Sequence, residues 1–103
     1  MTVLHVCYKS GVRFDHDYYA SRHLPMAAAA MAPHGVTHIE AVRIDAASSP
    51  YQVMFSAYFE SEAQLQRAMG TRAMAEVVAD VPNYHDGNPD VMVGQVVAVP
   101  VIR

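Results

Sequence analysis

The chain has 103 residues, 52% of them apolar and only 17% charged, with a net charge of −3 when histidine is neutral. That length fits one domain and leaves no room for a second core. The seven basic residues (Lys9, Arg13, Arg22, Arg43, Arg67, Arg72 and Arg103) are scattered. No stripe exists to neutralise a phosphate backbone, and no nucleic-acid partner is expected.

Cys7 is the single cysteine, which rules out an intrachain disulfide and makes a reducing cytoplasm the default location. The first residues lack the basic region and apolar run of an export signal. The apolar stretch Val91 to Ile102 is too short to span a bilayer, so no membrane association is expected. About 25% charged residues is usual, and a small domain has much surface to cover with few charges. A second copy of the chain covering part of that surface is the simplest physical answer, which makes a homodimer the expected assembly.

Thr2 to Tyr8 reads as a first strand, broken by Lys9-Ser10-Gly11. Asp15 is a good helix N-cap, and Phe14 before it can staple onto Tyr19, so a helix is predicted from about His16. Pro25 removes one amide and crowds the carbonyl of Ser21, so this helix must kink or restart before continuing through Met26 to Met31. Pro33 and His34-Gly35 end it. Val36 to Asp45 is a second strand and Ala46 to Pro50 a turn. Gln52 to Glu60 is a third strand, with Val53, Phe55, Ala57 and Phe59 on one face and Met54, Ser56 and Tyr58 on the other. Ser61-Glu62-Ala63-Gln64 is a capping box that opens a second helix, divided near Gly70-Thr71 and running to about Asp80. Pro82 to Asp90 is a loop, and Val91 to Val99 the last strand.

The order β-α-β-β-α-β predicts an α+β, ferredoxin-like domain: a four-stranded antiparallel sheet with its helices on one face. The other face should then be charged and solvated. Strands one, three and four instead carry apolar or uncharged residues on both faces, which two sheets packed face to face would explain.

The run Phe14-Asp15-His16-Asp17-Tyr18-Tyr19-Ala20-Ser21-Arg22-His23-Leu24-Pro25 resembles the signature of the EthD family, a Phe-x-x-x-Tyr-Tyr-x-x-x-His-x-Pro helix after a first strand. The Tyr51 to Phe59 strand, the Ser-led second helix and Val81-Pro82-Asn83-Tyr84 also fit, so the likeness spans nearly the whole chain. The resemblance implies a dimeric α/β barrel. The founding member is associated with degradation of ethyl tert-butyl ether, and relatives include cofactor-independent isomerases of muconolactones and fungal decarboxylases of polyketides. Fold transfers across such a family; reaction does not.

His23 is the first candidate for chemistry. On a continuous helix it lies over Tyr19, and an imidazole beside a phenol in a helix–sheet cleft could move a proton near neutral pH. The structural alternative is that His23 bonds a carbonyl freed by the Pro25 kink. His38 and Glu40 project from one face of the second strand, where Glu40 could fix the imidazole tautomer; an exposed edge explains them as well. His5 and Cys7 share a face of strand one, but a central-strand cysteine is usually a small buried hydrophobe. Asp15 and Asp17 suit the first helical turn without catalysis. Asn83, Tyr84 and His85 sit in a loop that could close over a ligand or form a plain solvated turn. Met54 and Met92 could give a pliable apolar lining.

No metal or other cofactor is expected. His34 and His38 fall on an extended segment, where four residues span roughly 13 Å, and His16 and His23 are two helical turns apart. Two functional readings follow. The first is a cofactor-independent lyase or isomerase, or a monooxygenase-like relative, acting on an apolar oxygenated molecule. His23 would be general acid or base, Tyr19 would orient substrate, and His5, His38, Glu40, Met54, Tyr58 and Tyr84 would line the site. The second is a non-catalytic ligand-binding or accessory dimer in a degradation pathway; a dimerisation module without a pocket is a weaker third.

Overall fold

The computed structural model describes residues Met1–Arg103. Strands β1 (Thr2–Lys9), β2 (Val36–Arg43), β3 (Tyr51–Phe59) and β4 (Asp90–Gln95) form one sheet in the order β2-β3-β1-β4. Every neighbouring pair is antiparallel. Helices α1 (His16–Tyr18), α2 (Leu24–Met31), α3 (Glu62–Met69) and α4 (Arg72–Ala79) complete the predicted ferredoxin-like α+β architecture.

Strand alternation sorts the side chains. Leu4, Val6 and Tyr8 of β1 pair in register with Ala57, Phe55 and Val53 of β3, and this face meets the helices. Leu65 and Ala68 of α3, Met74 and Val77 of α4, and Ala27 and Met31 of α2 close the core against it. Each large side chain so buried stabilises the fold by roughly 1.5–3 kcal/mol. The opposite face carries Val3, His5 and Cys7 beside Tyr58, Ser56 and Met54, with no helix over it.

The expected helix starts and stops are present with their chemistry. Asp15 accepts from the Tyr18 amide, and Ser61 and Gln64 form the reciprocal capping box. The chain breaks again at Gly70, and Thr71 caps α4 by accepting from the Met74 amide. The disturbance expected ahead of Pro25 is a π-turn over Tyr19–His23, in which the Leu24 amide donates to the Tyr19 carbonyl five residues back. Widening the turn removes the need for the proline amide that does not exist.

Two boundaries differ from expectation. The last strand ends at Gln95 rather than Val99, because Gln95 pairs with Thr2, where β1 begins. The Val96 amide still reaches the Met1 carbonyl, but no strand remains to pair with residues 97–103. Val97, Val99, Val101 and Ile102 are all strongly exposed. The second strand ends at Arg43, short of Asp45.

Candidate functional site

The site is assembled where the π-turn, β1 and the segment after α4 converge. Tyr8 follows Leu4 and Val6 on the helix-facing side of β1, so its ring enters the core. The π-turn turns Tyr19 and His23 toward it. Their rings stack at 5.4 Å with 16° between planes, and His23 is only 4% exposed.

Within the expected Pro82–Asp90 loop, Pro82, Asn83 and Asp86 are exposed, but Tyr84 and His85 are not. A three-ten turn at Val81–Asn83 is followed by a backbone tie to the start of the first helix: the Asp15 amide donates to the Tyr84 carbonyl at 2.8 Å. The Asp86 amide donates to the Arg13 carbonyl at 3.2 Å. This seats Tyr84 and His85 inside, at 0% and 2% exposure. Tyr8, Phe14, Tyr19 and Tyr84 then pack largely edge-on, with centroids 4.9–5.7 Å apart.

A hydrogen-bonded chain runs through this cluster. His23 Nδ1 lies 3.0 Å from Asp80 Oδ2, and His23 Nε2 lies 3.0 Å from the Tyr84 hydroxyl. The Tyr84 hydroxyl is 2.7 Å from that of Tyr8. Asp80 also accepts from the Tyr18 hydroxyl at 2.7 Å and from Asn83 Nδ2 at 2.9 Å, both on Oδ1.

The protonation states are set by these partners. Three hydrogen bonds from Tyr18, Asn83 and His23 hold the Asp80 carboxyl below its usual range despite the opposing effect of burial. Burial lowers the His23 pKa, and Asp80 only partly opposes that shift, so the imidazole is neutral at pH 7. Burial raises Tyr8, Tyr19 and Tyr84, which stay protonated. A carboxylate only accepts, so His23 carries its proton on Nδ1 and receives the Tyr84 hydroxyl at Nε2. A proton reaching Tyr8 could therefore be handed through Tyr84 to His23, where the resulting imidazolium would be paired with Asp80.

Beside Tyr8 and His23 lies a cavity of about 110 Å³ between the sheet and α2 and α4. Leu4, Phe55, Met31 and Met74 form its walls, and the exposed Val78 and Val91 stand at its mouth. Tyr8 and His23 are the only lining residues with hydrogen-bonding side chains. A second hollow of about 210 Å³ lies beside the π-turn, lined by residues including His16, Tyr19 and Arg43. The buried Tyr19 hydroxyl has no hydrogen-bond partner.

The expected residues thus separate into two groups. His23, Tyr19 and Tyr84 come together, but of the three only His23 lines the cavity, while Tyr19 borders the second hollow and Tyr84 is buried behind. His5, His38, Glu40, Met54 and Tyr58 lie on the opposite, helix-free face of the sheet and do not line the cavity beside His23, because each occupies the strand parity opposite to Leu4, Phe55 and Ala57. On that face His5 Nδ1 meets Ser56 Oγ at 2.8 Å, and His38 Nε2 meets Glu40 Oε1 at 2.7 Å on the exposed edge strand. Cys7 is buried there, with burial raising its thiol pKa. No three His, Cys, Asp or Glu side chains are grouped to hold a metal ion.

Sequence reasoning passes over Tyr8, Tyr18 and Asp80. Two signals exist for them. Tyr8 shares strand parity with Leu4 and Val6, which places it toward the helices. Asp80 puts a negative charge at the C-terminal end of α4, where the helix dipole disfavours it unless something else holds it.

The model of the EthD domain matches residues 12–88. An EthD-like protein from Ralstonia eutropha JMP134 is 28% identical over 94% of this chain and 92% of its own, with a TM-score of 0.77. An ethyl tert-butyl ether D family protein from Bacillus halodurans C-125 is 21% identical over 93% and 98%, also at 0.77. SnoaB, a cofactor-independent oxygenase from Streptomyces nogalater, shares the fold at 11% identity over 95% and 93%, with a TM-score of 0.72. No protein of curated function matches the sequence.

Proposed function

This chain belongs to the EthD family, and we propose that it binds an apolar oxygenated small molecule in the cavity beside His23, in the breakdown of an ether or another organic compound. The observation that carries this reading is the composition of the cavity: walls of aliphatic, thioether and aromatic side chains, with Tyr8 and His23 as the sole polar contacts. Pockets for small apolar ligands have this character, a greasy wall with few polar groups to fix orientation.

Within that reading, the enzyme is a cofactor-independent lyase or isomerase in which His23, backed by Asp80, is the general base and a homodimer is the working assembly. A second reading, a non-catalytic binder, is favoured by one feature. Both nitrogens of His23 are already engaged, so neither is free to meet a ligand directly.

The test of the binding site is Val78→Phe. Val78 is exposed at the mouth, so the larger ring is tolerated there while it closes the opening. Small apolar alcohols titrated into the protein should perturb the NMR signals of Leu4, Phe55 and Met74, and Val78→Phe should weaken that binding at least tenfold without lowering the melting temperature. Perturbations confined to the helix-free face of the sheet would place the ligand elsewhere. His23→Asn then separates the two readings: it abolishes turnover if His23 is the base, and it leaves affinity within a few-fold if the protein only binds.

A further inference from the structure

The direction of the Tyr8–Tyr84–His23–Asp80 chain bears on the kind of molecule the cavity accepts. We propose that the ligand of this cavity carries a hydroxyl group and donates its hydrogen to the phenol oxygen of Tyr8. This rests on the cavity being the binding site.

Each hydrogen of the chain can be assigned in turn. Asp80 is a carboxylate with three donors around it: Tyr18 and Asn83 on one oxygen and His23 Nδ1 on the other. The Nδ1 hydrogen is therefore committed to Asp80. Neutral His23 has no second hydrogen, so Nε2 is an acceptor and the Tyr84 hydroxyl must donate to it across 3.0 Å. Tyr84 has no other hydrogen to give, and the 2.7 Å contact to Tyr8 can form only if Tyr8 donates. Every hydrogen in the chain points toward Asp80.

What remains at the cavity wall is fixed by that order. His23 and Tyr8 are the lining residues with polar side-chain atoms, and both nitrogens of His23 are occupied. Tyr8 has given away its hydrogen but keeps acceptor capacity on oxygen; the Tyr19 hydroxyl beside it lies outside hydrogen-bond geometry and is the ligand's competitor for that acceptor. Tyr84 is fully buried and does not line the cavity. The site therefore offers a ligand one acceptor and no donor. A ketone, ester or ether would bring a second acceptor against it. An alcohol, phenol or enol supplies the missing hydrogen and extends the chain by one member, so that each bond polarises the next. The rest of the molecule is compact and apolar, since the space is about 110 Å³ and its remaining walls are hydrophobic.

Cyclohexanol, cyclohexanone and methylcyclohexane probe this directly, because they share ring size and differ in hydrogen-bonding role. Calorimetric or NMR titration of the wild-type protein at neutral pH should rank cyclohexanol at least tenfold tighter than cyclohexanone. Tyr8→Phe, which keeps the ring and removes the acceptor, should bring the two within threefold of each other. Cyclohexanone binding as tightly as cyclohexanol, or an alcohol preference that survives in Tyr8→Phe, overturns the proposal while leaving the cavity as a binding site. The wild-type ranking decides the matter even if Tyr8→Phe does not fold. Absence of binding by all three probes overturns the cavity reading itself, and this inference with it.

Discussion

His23 and Asp80 illustrate how a buried pair can be anchored without a formal charge on both partners. The neutral imidazole donates to the carboxylate, and the carboxylate spreads its charge over Tyr18 and Asn83. Folding therefore has a definite pH dependence. The His23 and His85 pKa values are both lowered in the folded state, chiefly by burial, so the unfolded chain binds protons more readily. Stability from these groups is complete above the unfolded value of about 6.5 and is lost as pH falls below it, by at most about 1.4 kcal/mol per pH unit for each histidine. Asp80, whose folded pKa is also lowered, adds a further loss only at more acidic pH, below the ordinary carboxylate range. Thermal melts should thus be flat between pH 7 and 8 and fall steadily from about pH 6.5 downward. Asp80→Asn tests the anchor. Asp80 raises the His23 pKa against the larger effect of burial, so the variant should titrate His23 lower still by NMR. It should also cost roughly 1–3 kcal/mol, since it weakens a charge-assisted bond and leaves the neighbouring donors poorly matched. An unchanged His23 titration would show that the carboxylate does not govern it.

At the scale of elements, most boundaries are set by local chemistry, and one junction tests this sharply. Gly35 follows the three-ten turn after α2 with φ of +82°, and a Cβ there would come within 2.7 Å of Gln64 Nε2. Gln64 is the residue whose side chain closes the capping box of α3. Gly11 has nearly the same φ, +83°, but open space around it. Gly11→Ala should therefore cost only the left-handed strain of roughly 1–2 kcal/mol, whereas Gly35→Ala adds displacement of Gln64 and a further loss of about 1 kcal/mol by denaturant melts. Equal costs would mean that Gln64 moves freely and the capping box contributes little. The same local signals make the elements legible in sequence: Asp15, Ser61 and Thr71 as caps, Gly70 as a break, Pro25 as a disturbance. The site is less legible because its contacts join residues far apart in the chain. The Tyr19–His23 pairing rests on helical spacing and survives the π-turn, since four residues still make about one turn. Tyr84 reaches His23 only because the 13–15 segment bonds to residues 84–86, a tertiary tie with no sequence periodicity. Grouping His5, His38 and Tyr58 with His23 fails because strand parity already sets them on the other face of the sheet.

For the whole molecule, that other face is the outstanding feature, and a homodimer formed through it is the expected assembly. Its centre holds Val3, His5, Cys7, Met54, Ser56 and Tyr58, with His5 bonded to Ser56, while formal charge is confined to the margin at Lys9, Glu40 and Asp90. Lys9 and Asp90 there already face each other at 3.7 Å. A centre depleted of charge with a charged rim is how stable protein interfaces are built. Val42 and Met92 lie exposed on the same face, and beyond Gln95 the side chains of Val97, Val99, Val101 and Ile102 are uncovered. Two such faces packed together would bury the uncharged strand surface that no helix covers. A lasting interface needs more than about 1,000 Å² in total. Light scattering at tens of micromolar protein should give twice the chain mass of 11.3 kDa. Met54→Lys places a charge at the centre of the face, where an unpaired ammonium is costly to desolvate, and should convert the dimer to monomer with the secondary structure retained. Glu40→Gln, at the rim, should leave the dimer intact, because rim charges contribute little. A wild-type monomer would leave this face without a covering partner, and a Met54→Lys variant that remains dimeric would place the contact on some other surface.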